Sequence, residues 1–410
     1  MRRVLVFAAL VACSDAIASP FLLDLGTLGG SDAFATAVTP DGAVVVGMAT
    51  TPSEDGRAFR WSEFGGLEDL GVLVPANHPS SIAYAVSADG NVVVGLSNRF
   101  GGSTAFRWDA TAGMMSLGTL GGLYSQSLAV NADGSIIVGN SYTSTQQQHA
   151  FRWVQGQGMT SLSPPGYGVS AATAIDPCSG AVFGFAQPPE GGGFVAGRWD
   201  DNGVWQTLVA VPNGSATAVA ASCGGEVILG AIQMPGVSGQ RAFLRATAGE
   251  SRQLLLPQSN QIEPRAISGD GHVAGGGMYV PGDLKARAWV WTEPRGGMDL
   301  KTALEVSGID LTGWMIESIA GLSADGTVLV GSGYKDGRRR AIRVSDFVAL
   351  ADRCPSDMNR DLLVDDADFV LFADAYNELL AASGDFNLDG QTDDADFVLF
   401  ADAYDGLLCP

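Results

Sequence analysis

The text AVTPDGAVVVG at residues 37–47 returns as AVSADGNVVVG at 85–95, as AVNADGSIIVG at 129–139 and as GLSADGTVLVG at 321–331. Three eroded copies fill the gap, AIDPCSGAVFG (174–184), AASCGGEVILG (220–230) and AISGDGHVAGG (266–276). Their turn glycines, from Gly42 to Gly326, stand 44 to 55 residues apart. Self-similarity at such a period marks a fold made by stacking one supersecondary unit on the next. In each unit an alternating strand runs into Asp-Gly, whose positive-φ preference suits a tight hairpin, and a β-branched strand follows and stops at glycine. After a polar loop come a third strand, RAFRW, TAFRW, HAFRW or VAGRW at 57–61, 104–108, 149–153 and 195–199, and a fourth, GLEDLG or GMMSLG. Four short strands repeated seven times predict an all-β chain folded as a seven-bladed β-propeller over residues 19–348.

The ring is expected to close on itself. FLLDLGTLGG at 21–30 matches the fourth-strand text MSLGTLGG at 115–122 but precedes the first full unit, whereas the seventh unit has no fourth strand after RAIRVSDF at 340–347. The N-terminal strand would complete the last blade and remove two exposed edges.

With 46% hydrophobic and 16% charged residues the balance is globular. The net charge of −21 is uneven, because residues 351–410 hold fifteen Asp or Glu against two Arg. Such a tail disfavours nucleic acid and anionic membrane and favours divalent cations or a basic partner. MRRVLVFAALVACSDAIAS opens with two arginines and an apolar run and reaches a small-residue cleavage pattern. It predicts a signal peptide over 1–18 and a secreted protein, extracellular or at the cell surface. A competing reading takes Leu10, Val11 and Ala12 before Cys13 as a lipobox, with Cys13 as a lipid anchor. No later stretch is long and apolar enough for a transmembrane segment.

Four cysteines remain in the mature chain, Cys178, Cys223, Cys354 and Cys409, and allow three disulfide connectivities. Cys178 and Cys223 read as one position in adjacent units, just before the hairpin turn, where others carry Ala88, Ala132 and Ala324. Bonded cysteines need Cα atoms about 5.5–6 Å apart, so this pair can form only if the turns crowd the ring axis and the first strand is innermost.

These repeats resemble the extracellular HAF-repeat family, named for the text present here as His149-Ala150-Phe151. The resemblance covers residues 21 to 345 and implies an exported repeat protein, with no reaction assigned. Phe59, Phe106 and Phe151 read as blade core rather than a binding box.

After a 349–356 linker, residues 357–410 carry a different pattern. Counted from Asp357, oxygen ligands fall at loop positions 1, 3, 5, 9 and 12 as Asp357, Asn359, Asp361, Asp365 and Asp368, with the Leu363 carbonyl at position 7. Twenty-eight residues later the set is Asp385, Asn387, Asp389, Asp393 and Asp396, with the Gln391 carbonyl. This is EF-hand spacing, and hard oxygen donors without His or Cys select Ca²⁺, two ions in all. Position 12 is Asp where Glu is usual, and Leu362 stands where Gly390 serves the second loop, which predicts a weaker first site. Each loop leads into one helix, with Phe369, Phe372, Ala373 and Tyr376 on one stripe and Phe397, Phe400, Ala401 and Tyr404 on the other.

The duplicated loop-helix unit resembles a type I dockerin over residues 357–408. The resemblance implies attachment to a cohesin-like extracellular partner through Asp366, Ala367, Ala373 and Asp374, and through Asp394, Ala395, Ala401 and Asp402. An Asp-Ala pair stands where that family has small hydroxyl pairs. Cys354 and Cys409 bracket the module and would join its ends.

The reading ranked first is a non-catalytic secreted binding or scaffold protein, anchored by its calcium module. The second is a carbohydrate-active enzyme, a glycoside hydrolase or lyase acting on polysaccharide from the propeller channel; the third is an adhesion or matrix protein. Glycan is a candidate ligand in all three. No serine sits in a nucleophile elbow, and no acidic pair outside the tail repeats as an acid and base would.

Overall fold

The computed structural model describes residues 20–347 except 75–78, 100, 201, 247–248, 250, 257–258, 260, 293–295 and 307–308, together with 366–378, 394, 397, 398, 400 and 401. The signal segment and the linker lie outside the described residues. Unit one sets the pattern. The strand β1 (Phe21–Asp24) precedes it, and β2 (Ala33–Val38), β3 (Val44–Thr50), β4 (Gly56–Ser62) and β5 (Gly66–Asp69) form an antiparallel sheet in chain order. The expected third strand at 57–61 thus extends by one residue at each end.

Units four, five and six repeat this four-stranded sheet, with first strands Ser170–Ile175, Ser215–Ala221 and Gln261–Ile267. Units two and three do the same but join into one eight-stranded sheet through a parallel bridge between Tyr124 and Ser103. In unit seven three strands, Trp314–Leu322, Leu329–Lys335 and Arg338–Ser345, are completed by β1, with Phe21 opposite Ser345 and Asp24 opposite Ile342. The chain's first strand therefore supplies the fourth strand of its last sheet, as the duplicated text predicted. Among the described residues the helices are α1 (Leu300–Val306) and α2 (Asp366–Glu378), with one short 3-10 turn at Cys223–Gly225, and residues 394, 397, 398, 400 and 401 are helical as well. No helix there is long and apolar enough to cross a membrane.

The core lies between sheets. Val46 and Ala58 of unit one pack with Ala83, Val93 and Phe106 of unit two, and Val138 and Ala150 of unit three with Ala172, Val182 and Trp199 of unit four. Val330 and Ala341 of unit seven share a cluster with Ala33, Val45 and Phe59 of unit one. The terminal glycine of each AVVVG run has a packing reason. Gly47, Gly95 and Gly139 lie opposite Phe59, Phe106 and Phe151, and these rings are fully buried. A Cβ on Gly47 would meet the Phe34 carbonyl oxygen at 2.1 Å and the Phe59 ring at 2.9 Å. The HAF phenylalanine is therefore core, and the glycine makes its seat.

Four of the hairpin corners are stapled by one buried hydroxyl each. Thr39, Ser87, Ser268 and Ser323 accept from the N–H of Val44, Val92, Val273 and Val328 at 2.9–3.0 Å. The same hydroxyls donate to Asp41, Asp89, Asp270 and Asp325 at 2.5–2.6 Å. The hydroxyl bond, aided by a backbone N–H, holds the Asp41 and Asp89 carboxyls below their ordinary range.

Gly47→Ala is expected to destabilise the protein by about 1–3 kcal/mol through overpacking, read as a lower urea midpoint. The Asp41 and Asp89 carboxyls bind protons less readily folded than unfolded. Their contribution is complete above the ordinary value of 3.8 and is lost as pH falls through the depressed folded values. The midpoint should drop as pH falls below about 4, and Ser87→Ala should make that drop shallower.

Candidate functional site: a channel lined by one bulge from each unit

In every unit the pairing of the first strand with the second skips one residue at the same place. Ala35 pairs with Gly47 and Ala37 with Val46, so Thr36 has no partner across the ladder. The same skip isolates Tyr84, Leu128, Thr173, Val219, Arg265 and Ala320. A bulge bends the strand and re-aims the unpaired side chain. All seven bulge residues line one central cavity of about 520 Å³. Two of them also tie units together: Thr36 Oγ1 donates to Ala83 O at 2.8 Å and Thr173 Oγ1 to Ala218 O at 2.7 Å.

Around the bulges the mouth of this cavity carries rings and paired charges. Arg339 donates through Nε to Glu317 Oε2 at 2.7 Å, and Ser332 Oγ donates to the same oxygen at 2.7 Å. The Arg339 guanidinium lies 4.5 Å from the centre of the Phe34 ring, within cation–π range, and its backbone N–H donates to Asp32 at 3.0 Å. In the adjacent unit six Arg265 bonds Glu263 at 3.2 Å. The Glu263 charge, with burial, holds the Tyr279 phenol above its ordinary range. The Ser31 hydroxyl, against burial and with the Arg339 N–H, holds Asp32 below the usual carboxylate range. Beyond this cavity burial lowers the His149 ring, whose Nδ1 shares a hydrogen bond with Ser161 at 3.1 Å.

At the other end the hairpin turns crowd together around a cavity of about 680 Å³ lined by Ala37, Ala85, Ala129, Ala174, Ala220 and Ala266. Turn binds turn there: Ala88 N–H donates to Ala132 O at 3.0 Å, Cys223 to Gly269 at 2.8 Å, Asp270 to Ala324 at 3.0 Å and Ala324 to Pro40 at 2.8 Å. Units four and five are joined by the Cys178–Cys223 disulfide, Cα to Cα 5.1 Å. The innermost place inferred for the first strand holds, but the shared position of the two cysteines is corrected. Asp176 N–H bonds Ala181 O as Thr39 bonds Val44 O, so Pro177 matches Ala88 and Cys178 falls one place later, where other units carry Asp41 or Asp89. Gly180 also comes one residue late in its turn, bonding Asp176 O where Gly42 bonds Thr39 O. Asp176, fully buried, accepts from Cys178 N–H at 2.8 Å and from Gly224 N–H of the next unit at 3.1 Å.

Of the calcium ligands, Asp368 is described: it is fully buried in the first turn of α2. Asp357, Asn359, Asp361, Leu363, Asp365, Asp385, Asn387, Asp389, Gln391, Asp393 and Asp396 lie outside the described residues, as do Cys354 and Cys409. The two aromatic stripes meet as expected, with Phe372 and Phe400 buried and stacked at 4.9 Å and 15°. Of the residues named as partner-facing, Asp366 and Asp394 are exposed and Ala373 and Ala401 half-buried, and Asp394 accepts from the Tyr376 hydroxyl. Nothing is described of the side chains of Ala367 and Asp374, and Ala395 and Asp402 lie outside.

Known folds resemble this arrangement. An oligogalacturonate lyase from Vibrio parahaemolyticus superposes with a TM-score of 0.52 at 9% identity, over 79% of this chain and 93% of that one. An oligogalacturonate lyase in complex with manganese gives 0.51 at 12% identity, over 79% and 92%. Both are β-propeller proteins. The fold is that of a β-propeller. At these identities the likeness speaks for the fold alone. No protein-family model and no curated protein matches the chain, so neither the HAF-repeat nor the dockerin resemblance gains support from that side.

The repeated text starts at Ala37 and its equivalents, one residue after the bulge. Its signal was present one residue earlier, where Thr, Tyr, Leu, Thr, Val, Arg and Ala precede a nearly constant small residue. Replacing both Cys178 and Cys223 with alanine should cost about 2–4 kcal/mol, read as a lower urea midpoint with the propeller's circular dichroism retained.

Proposed function

We propose that this chain is a secreted, non-catalytic binding protein: a closed seven-bladed propeller of HAF type that recognises its ligand at the bulge ring, anchored by a dockerin-like module holding two Ca²⁺. The observation that carries the reading is the bulge ring itself. Seven units keep one geometry and vary one side chain each, all lining the same cavity, which is how a repeat fold diversifies a recognition surface while conserving its frame. The charges at the mouth are already neutralised by each other, Arg339 by Glu317 and Arg265 by Glu263. The carboxyls displaced by their surroundings near that mouth and at the corners, Asp32, Asp41 and Asp89, move down, away from the raised value a general acid needs.

For the tail, a carboxylate at loop position 12, buried at the start of a helix, is what an oxygen-lined cation loop requires of Asp368. The stacked Phe372 and Phe400 support a pseudo-twofold module with Asp366 and Asp394 on its surface, available to a cohesin-like extracellular partner.

A second reading is enzymatic. Two proteins of this fold are oligogalacturonate lyases, and Glu263, Arg265 and Arg339 line one cavity with Glu317 bonded to Arg339 behind it, a set of carboxylates and guanidiniums that could serve an acidic polysaccharide. Incubating the full-length protein with a panel of polysaccharides separates the two. Binding without release of new chain ends is expected; turnover abolished by Glu317→Gln would establish the enzyme instead. Replacing Asp385 and Asp389 with alanine should remove the tighter calcium event in calorimetry, and an unchanged isotherm would refute the calcium assignment.

A further inference from the structure

Beside the bulge ring, between units three and four, a separate chamber of about 520 Å³ is lined without a single charged side chain. In a chain of net charge −21 that neutrality is a constraint on what can enter. The chamber exists because unit three is built differently. Its first strand, Gly121–Val130, is ten residues long where β2 has six, and the extension carries Tyr124. The second strand of the unit, Ile136–Thr143, sets Tyr142 against it, ring centroids 5.8 Å apart and 85° between planes. Two aromatic walls at right angles thus meet at one corner, and Phe185 of unit four, packed on Phe194 at 4.8 Å, forms another part of the lining.

The polar atoms are arranged in a directed chain. Tyr124 OH donates to Gln126 Oε1 at 2.6 Å, and Gln126 Nε2 donates to Asn140 Oδ1 at 2.9 Å. Gln126 and Asn140 are cross-strand partners in the ladder, and Asn140 is only 3% exposed, so the chain is held rigidly. Each link orients the next. The Asn140 amide N–H₂ ends the chain as donor and the Tyr124 phenolic oxygen begins it with acceptor capacity left. Gln148 adds a further amide at the rim.

We propose that this chamber is a binding subsite for a neutral saccharide. A pyranose has an apolar face of C–H bonds and a rim of hydroxyls that each donate and accept. Perpendicular tyrosine rings offer that face a surface to lie on, and a pre-oriented amide and phenol offer the rim one donor and one acceptor. An anionic sugar finds no cation here to repay the loss of its hydration. Leu128, Thr173 and Phe185 line both this chamber and the central cavity, so the subsite continues the bulge ring outward and gives a chain longer than one residue a path along the face. The inference rests on the binding reading above and narrows its ligand.

The test is calorimetric titration of the full-length protein with cellohexaose, xylohexaose, mannohexaose and chitohexaose, and with oligogalacturonate of the same length as the acidic comparison. Binding of at least one neutral hexaose is expected. Asn140→Asp, which turns the terminal donor into an acceptor, and Tyr142→Ala should each weaken it about tenfold or more. Tyr124→Phe keeps the ring and removes only the hydroxyl, and should weaken it as well, which guards against misfolding of the larger change; unaltered urea midpoints confirm the fold. No binding of any of the four neutral sugars overturns the proposal, as does neutral binding indifferent to all three substitutions. Oligogalacturonate binding lost on Arg265→Ala but kept in Asn140→Asp would also overturn it while leaving the bulge ring as the recognition surface.

Discussion

Everything else in this molecule depends on the hairpin turns being held to one another at the narrow end of the channel. There the polypeptide comes close enough to itself that peptide groups of successive units hydrogen-bond directly, Ala88 to Ala132, Cys223 to Gly269, and Ala324 to Pro40 across the junction of last and first units. These three donors, Ala88, Cys223 and Ala324, stand directly after the corner residue, where proline would offer no N–H. Unit four has Pro177 at that place, and there the neighbouring turns are tied by the Cys178–Cys223 disulfide and by Asp176 reaching Gly224. In unit one, Pro40 likewise has no N–H to give unit two, and that junction is held farther out, by Thr36 to Ala83 and by Arg60 Nε to Gly90 O at 2.9 Å. Covalent and side-chain links stand where the backbone link cannot.

A tight inner end forces an open outer one. The bulge in each first strand aims one side chain into the central cavity. The repeated Thr36-type position is therefore free of the packing demands that fix Ala37 and Gly47 on either side of the ladder. Thr, Tyr, Leu, Val, Arg and Ala can all occupy it because it lines the central cavity, and where it is Thr36 or Thr173 its hydroxyl also reaches the next sheet. Variation there changes what the channel contacts without changing how the units stack, and the charged pairs around Arg339 and Arg265 lie beside it.

Much of the frame was legible in the residues. Asp-Gly between alternating runs marks five of the seven hairpins, the terminal glycine of units one to three marks the seat of an aromatic, and the misplaced fourth-strand text at the N-terminus marks the completion of the last sheet. These are local rules that each unit obeys independently, so seven copies reinforce one another. The site was less legible. A bulge leaves no composition signal, only an unmatched residue in a register visible once two strands are paired. The shift of Cys178 is written in the text, one place later in AIDPCSGAVFG than in AASCGGEVILG, but both cysteines stand two residues before their turn glycine, and counting back from that glycine conceals it. Arg339 and Glu317 belong to different strands, 22 residues apart, and no motif links them.

The central claim is that seven units close into one ring, so that the first and the last are neighbours. Distance measurement between spin labels tests it most directly, with one pair at Asp41→Cys and Asp325→Cys in units one and seven, and a reference pair at Asp89→Cys and Asp133→Cys in the adjacent units two and three. A closed ring predicts narrow distributions of similar length for the two pairs. A distance between units one and seven several times that of the reference pair, as in an open stack, would contradict the account.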